Sequence, residues 1–306
     1  KAVGAALASA AIAKFFTDAT NAAKDFNQSI SNLSAITGAV GDDLKFLRTA
    51  ALEFGETTTL SASEAAGALK LVASAKPDLL ANAQALKEVA AQAVLLAEAS
   101  GGTLALEDAA KAVGKSLNQF GAEASEAARF VNVLAAGSKF GSSEVLATSE
   151  ALKEAGVSAS GAKISFEETN SAIQVLAKSG VEGSQAGTAL RNIFLKLETD
   201  TNQNLRPSLV GLSKALENVN ALNETGAQKV KRFGLENINA AQFLLKNISA
   251  LDETTSKLTG TNTAIEQSTT NVNNLAGDLK SLGSAYEALA ISVGSLADDE
   301  MRRLTQ

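Results

Sequence analysis

The sequence predicts an all-α protein, and three features of its composition support this. Only two prolines occur in 306 residues, so helix interiors are rarely interrupted. Alanine is abundant, aromatic residues make up 4% and tryptophan is absent, which favours slim helices that pack at close range. A hydrophobic content of 45% is normal for a chain that buries a core. We therefore expect a compact array of short antiparallel helices, flanked at both ends by longer, coiled-coil-like helices.

The first predicted segment, residues 1–40, is an N-terminal heptad helix. Apolar or small residues alternate at spacings of four and three, as in the seam of a coiled coil: Ile12, Phe16, Ala19, Ala23, Phe26, Ile30 and Leu33. Gly38 and Gly41 end this pattern. The chain begins with Lys1 rather than methionine, so we expect it to be a piece of a longer polypeptide.

The second predicted segment, residues 41–216, is the helical core. Ser61 with Glu64 and Ser165 with Glu168 have the spacing of capping boxes, which mark helix starts. Glycines divide the middle of this segment at a nearly constant period, with one amphipathic stretch in every interval: Gly101, Gly121, Gly141, Gly161 and Gly180. Each interval predicts a helix of roughly 15 residues, about 20 Å long. The side chains between the glycines do not repeat, so we do not expect a solenoid.

The third predicted segment, residues 217–306, is a C-terminal helical or coiled-coil segment. Apolar residues recur every seventh position from Leu244 to Val293, and a second apolar row joins them from Val272 onward. The predicted seam is Val272, Leu275, Leu279, Leu282, Tyr286, Leu289, Val293 and Leu296. Two interpretations stay open: one long helix, or a helix broken at Gly260 and restarted at Thr263. The seam either packs within the chain or joins copies of it.

The absence of two residue types excludes most enzyme mechanisms. The sequence has no cysteine and no histidine, so thiolate or imidazole metal sites, cysteine nucleophiles and serine–histidine–aspartate triads are ruled out. We predict no cofactor, no metal site and no catalytic residue. A net charge of −6 argues against stable nucleic-acid binding. No run of 18 apolar residues is present, so we expect no standard transmembrane helix.

Residues 179–197 predict a tight corner between two helices. Gly180 and Gly183 suit the end of one helix and the start of the next, and Ser184 is a candidate N-cap. Gly187 lies inside the second helix, where glycine is unfavourable by roughly 0.5–1 kcal/mol, so we expect a neighbour packed closely against it. Arg191, one turn further on, is expected to reach carbonyls at the end of the preceding helix.

The same stretch carries a resemblance to a known family. Its sequence GVEGSQAGTALR, residues 180–191, resembles the most distinctive motif of phage tail tape measure proteins. The matching residues are Gly180, Gly183, Ser184, Ala186, Gly187, Thr188, Leu190 and Arg191. Two upstream stretches, SAKPDLL at 74–80 and FGAEASEAARFVNVL at 120–134, resemble further family segments in the expected order. The resemblance covers roughly residues 25–216.

The resemblance implies a structural role rather than catalysis. Tape measure proteins set tail length while tube subunits polymerise around them, which implies a place in the tail lumen or at its tip and release before genome delivery. It also implies contact with tail tube and tail-tip or baseplate proteins, assembly in the host cytoplasm, and homo-oligomers, with a trimer favoured. Two alternatives stay open: a membrane-active helical protein that contacts the membrane during infection, or a flank to a cell-wall hydrolase domain outside these residues.

Overall fold

The computed structural model describes the backbone of residues 2–305 and the side chains of residues 14–295. This part of the chain contains 16 α-helices and no strand, which confirms the all-α prediction. The first four helices are α1 (Ala2–Thr37), α2 (Gly41–Thr57), α3 (Ala62–Ala75) and α4 (Ala83–Ala99). The next five are α5 (Leu106–Phe120), α6 (Ala127–Phe140), α7 (Val145–Gly161), α8 (Phe166–Ala177) and α9 (Gly183–Glu198).

The remaining helices are mostly shorter, apart from the last. They are α10 (Pro207–Val210), α11 (Leu212–Ala221), α12 (Gly226–Phe233), α13 (Ile238–Lys246), α14 (Ile248–Leu258), α15 (Thr263–Val272) and α16 (Leu275–Thr305). Of the two C-terminal interpretations, the broken helix is therefore the one observed. Gly260 takes a φ of +66°, a left-handed conformation that ends α14, and the backbone N–H of Thr263 then donates to the Thr261 hydroxyl as α15 begins.

The chain forms two compact units. The first unit is built from two separate stretches, Lys1–Ala91 and Thr269–Gln306, and the second is the continuous stretch Gln92–Ser268. These divisions do not coincide with the three predicted segments 1–40, 41–216 and 217–306, which stay a prediction about functional organisation.

In the first unit, α1 packs against α16 and α3. Its buried face is formed by Ala19, Ala23, Phe26, Ile30 and Leu33, five of the residues predicted for the heptad seam. Phe16, which was predicted in the same seam, is instead exposed. The buried face continues one turn back through the half-buried Phe15, whose ring meets Tyr286 edge-on. Ile12 and Leu296 lie outside the described side chains.

The second unit is centred on α7, which packs against α5 and α9. The periodic glycines of the sequence fall at helix ends, and Gly121 and Gly180 take positive φ angles there. Both predicted capping boxes form, at Ser61 in the first unit and at Ser165 in the second. Local sequence signals therefore fix where most of these helices begin and end.

Candidate functional site

The corner predicted at residues 179–197 is present between α8 and α9. Gly180 has a φ of +79° and Gly183 a φ of +54°, as the turn requires. The apolar face of α9 is fully buried and consists of Ala186, Leu190, Ile193 and Leu197. The predicted cap is wrong, because α9 begins at Gly183, so that Glu182 is the N-cap and Ser184 is an exposed second helical residue.

Gly187 allows α9 to approach the backbone of α7. A Cβ atom at Gly187 would lie 2.8 Å from the Cα of Ala151, closer than such atoms approach in proteins. The close neighbour predicted for Gly187 is therefore a helix backbone. Arg191 does not reach the carbonyls at the end of α8 as predicted. It pairs instead with Glu154 of α7, at 3.3 Å, because α9 packs along α7.

A buried polar network next to this corner was not predicted. Gln174 of α8 is fully buried, and its side-chain oxygen accepts hydrogen bonds from the backbone N–H groups of Ser142 and Ser143, at 2.8 and 2.7 Å. Its amide nitrogen donates to the Ser143 carbonyl and to the Thr148 hydroxyl, both at 3.1 Å. A Cβ atom at Gly141 would lie 2.5 Å from the Gln174 side-chain carbonyl carbon. One side chain of α8 thus holds the loop between α6 and α7.

The acidic start of α8 also has a role beyond helix capping. The sequence explains Glu167 and Glu168 as charges that favour a helix N-terminus. Glu168 does complete the capping box, but Glu167 is buried and accepts two hydrogen bonds from Arg129 of α6, at 2.6 and 2.8 Å. Burial opposes the charged form of Arg129, but the bonds to Glu167 and Glu126 outweigh it and raise the arginine pKa. These carboxylates are therefore engaged in structure.

The seam predicted in the C-terminal segment is exposed along most of α16. Its five central residues are Leu275, Leu279, Leu282, Tyr286 and Leu289, with exposed fractions from 48% for Tyr286 to 73% for Leu275. We call these five residues the α16 stripe. Val272 and Val293, at its two ends, are half-buried. The opposite face of α16, with Ser284, Ala288 and Ile291, is the buried one.

Within its own unit the α16 stripe is covered only in part: Tyr286 meets the ring of Phe15 edge-on, while the four leucines stay more than half exposed. The face that α16 buries against α1 is lined by small residues: a Cβ atom at Gly294 would lie 2.8 Å from the Cβ of Ala23. Four leucines and a tyrosine in a row on a helix surface are more than the scattered exposed apolar residues of a typical monomer. Such a stripe at heptad spacing is suited to contact with another helix.

The described residues hold no cluster of side chains suited to a metal ion. In residues 14–295, no group of three or more acidic side chains is placed to hold a metal ion. Across the part of the chain whose structure is described, no helix combines the length and the apolarity needed to span a bilayer. The distinctive features are instead a tight crossing of α7 and α9 and an exposed apolar stripe.

Fold and site together define an all-α protein with closely packed helices and an exposed apolar stripe. The model of the phage-related minor tail protein family matches residues 48–305, and the chain belongs to that family. The chain is also similar to the tape measure protein of Pneumococcus phage Dp-1, with 28% identity over 302 residues. This alignment covers 92% of the chain and 26% of that relative, so the chain spans about a quarter of its length. No solved structure matches the chain.

Family membership supports a structural role in a phage tail, among other tail components. It agrees with the resemblance found at residues 180–191, which rests on a motif inside the matched region. The roles of the individual motif residues stay a prediction, although the structure shows where each of them lies.

Proposed function

We propose that this chain is a segment of a tail tape measure protein, which sets tail length, sits in the tail lumen or at the tail tip, and leaves before genome delivery. The similarity to a named tape measure protein supports the role. The single structural observation that supports it best is the α16 stripe, because a protein that organises a tube around itself needs surfaces that contact other helices. Its partners would be tail tube and tail-tip or baseplate proteins, together with further copies of itself.

The size of the α16 stripe bounds the affinity between copies. Fully burying a leucine contributes roughly 1.5–3 kcal/mol, so burying a side chain that is about 60% exposed contributes roughly 1–2 kcal/mol. Five such residues on each of two copies would contribute roughly 10–20 kcal/mol, against a loss of translational and rotational freedom of about 4–15 kcal/mol. We expect association in the micromolar range, with a trimer as the favoured state. Only a few charged residues, among them Asp278, flank the stripe, so repulsion between like charges does not prevent this association.

Sedimentation equilibrium from about 1 to 100 μM tests the proposed association, since that range brackets a micromolar constant. The expected result is a mass that rises with concentration toward a trimer. Leu282→Glu, in the middle of the stripe, should leave the chain monomeric without changing its helical circular dichroism. Val157→Glu is the matched control, because Val157 is also exposed, at 68%, but belongs to α7 of the second unit and not to the stripe. A wild-type chain that stays monomeric throughout, or equal effects of both variants, would contradict the role of the stripe.

Release ahead of the genome is helped by the charge of the chain. A net charge of −6 repels DNA in the same lumen, so the segment does not bind the molecule that follows it. We expect no measurable retention of duplex DNA by the chain at low salt, where electrostatic binding is strongest. Tight DNA binding in a filter-retention assay under these conditions would argue against this step.

The α16 stripe also favours a second candidate, a membrane-active role during DNA delivery. Its leucines give α16 an apolar face, as in helices that lie in a membrane surface. The charged residues beside the stripe are Asp278, Lys280 and Glu287. Their signs are mixed, whereas most helices that lie in a membrane surface have a basic polar face. Leakage of dye from anionic vesicles would support this candidate. Concentration-dependent association without leakage would support the tape measure role.

A further inference from the structure

A cavity of about 520 Å³ opens on the surface of the second unit, within the size range of roughly 300–1,000 Å³ that ligand pockets occupy. It lies between the end of α4, the helix α6, the start of α7 and α15. Its walls are aliphatic and consist of Leu96, Ala99, Leu104, Ala135, Val145 and Leu146. All of these except Leu146 are buried, while Leu146, at the lip, is 46% exposed. The cavity is therefore concave, apolar and open on one side.

The mouth of this cavity carries hydrogen-bond acceptors and a negative charge. Glu144 is exposed at the mouth, and one of its carboxylate oxygens accepts a hydrogen bond from the Ser138 hydroxyl at 2.7 Å. The hydroxyl groups of Ser100 and Thr103 donate to backbone carbonyls at 2.6 and 2.9 Å, and the Ser100 oxygen also accepts from the Leu104 backbone N–H at 3.0 Å, so neither hydroxyl has a proton left to offer to a ligand. The nearby ammonium group of Lys139 is already paired with Glu266, at 3.5 Å.

The charges around the mouth favour a ligand that carries a positive charge. The N-terminus of α7 by itself would attract an anion, but Glu144 is its N-cap residue and supplies negative charge there. An aliphatic group would fill the walls, and an adjacent ammonium or guanidinium group would meet the second oxygen of Glu144. The exposed lip at Leu146 would stay uncovered by a small ligand but would be covered by a longer peptide segment.

We propose that this cavity is a docking site for a protein segment that presents an aliphatic side chain next to a lysine or arginine. The aliphatic side chain enters between α4, α6 and α7, and the cation pairs with Glu144 at the mouth. This site is separate from the α16 stripe and does not depend on association between copies. It gives the chain a second surface with a different chemistry, selective for basic rather than acidic partners.

Two capped helical peptides test the proposal, one with a leucine followed by lysine and the other with the same leucine followed by glutamate. Fluorescence polarisation with the intact chain should show the lysine peptide binding about fivefold more tightly, the upper end of what one exposed charge pair contributes. Glu144→Gln should bring the two affinities to within about twofold of each other. Glu150→Gln is the matched control, since Glu150 is an exposed carboxylate of α7 that does not line the cavity, and it should change nothing.

The variant Ala135→Leu fills the cavity and should abolish binding of both peptides. If it does not fold, Leu146→Ala, at the exposed lip, serves instead and should weaken both peptides about threefold, because it removes apolar contact but no charge. Equal binding of the two peptides, no binding of either, or affinities unaffected by the cavity variants would overturn the proposal. Binding of n-hexylammonium to the cavity without binding of the lysine peptide would also overturn it, since the occupant would then be a small molecule.

Discussion

The approach of α9 to α7 at Gly187 makes Gly187→Leu the most informative single substitution. The first added atom, the Cβ, would lie 2.8 Å from the Cα of Ala151. The obstacle is helix backbone, which cannot rotate away as a flexible side chain can, so the two helices must separate. Overpacking of this kind destabilises by about 1–3 kcal/mol, and we expect the upper end here. Leucine regains about 1 kcal/mol of helix propensity over glycine, which leaves a net loss of about 2 kcal/mol.

Thermal unfolding followed by circular dichroism measures this loss. For a folding unit of 150–250 residues, 1 kcal/mol corresponds to about 2–4 °C, so the Tm of the second unit should fall by about 4–8 °C. Gly161→Leu is the matched control, because a Cβ atom at Gly161, the last residue of the neighbouring helix α7, would meet nothing within 4 Å. Its Tm should stay unchanged or rise slightly. An unchanged Tm for Gly187→Leu would refute the packing argument. If the Tm is unchanged but the variant no longer binds its partner, the motif at residues 180–191 is an interface and not a core contact.

Two further substitutions test the polar contacts. Gln174→Leu should destabilise the second unit by about 1–3 kcal/mol, because the backbone N–H groups of Ser142 and of the buried Ser143 lose their acceptor, whereas Gln185→Leu on the exposed side of α9 should change little in the same urea titration. Asp78→Asn should destabilise by about 1 kcal/mol or less at neutral pH. The hydrogen bond from Lys76 lowers the pKa of Asp78 below its ordinary value of about 3.9, so this stabilisation is present above that pH and is lost as the pH falls through the lowered pKa. The stabilities of wild type and Asp78→Asn should therefore converge in acid, and a difference that persists at the lowest pH would contradict this role of the pair.

Local signals in the sequence are sufficient to predict most of the helical framework. Ser61 and Ser165 each begin a helix through a capping box whose partners are three residues away, and glycines with positive φ end helices within a single turn. The close approach at Gly187 was also predictable, because an unfavourable glycine inside a helix needs a packing reason. The identity of the neighbour, Ala151 of α7, was not, since it lies far away along the chain.

The polar contacts could not be predicted for the same reason. Nothing near Gln174 in the sequence shows that it is buried or that it bonds to a loop more than 30 residues before it. Ser184 shows the limit of local signals, because α9 begins two residues earlier than an N-cap at Ser184 requires, and this shift removes its capping role. Hydrogen bonds of this kind depend on which helices meet, and helix periodicity does not contain that information.

The last helix shows that hydrophobic periodicity locates an apolar stripe but does not say what the stripe contacts. The leucines of α16 form the strongest pattern in the C-terminal segment, yet the chain buries the opposite face, where Ser284, Ala288 and Gly294 allow α1 to approach closely. Small residues let two helix backbones approach closely, and the resulting dispersion contacts stabilise the pair. A pattern of hydrophobic residues underestimates this contribution. Of the two interpretations left open for the seam, packing within the chain does not apply to its leucines, which stay exposed, and the joining of copies remains a prediction.

The construction of the first unit from both ends of the chain has a consequence for synthesis on the ribosome. The second unit is complete once Ser268 has been made, so it can fold while translation continues. The part of the α1 face at Ala19 and Ala23 that packs on α16 must wait for that helix, more than 200 residues later, before this part of the unit closes. Contacts so distant along the chain form slowly. The N-terminal helix is therefore the part of this chain that is exposed longest during synthesis, and the part most in need of protection until the last helix arrives.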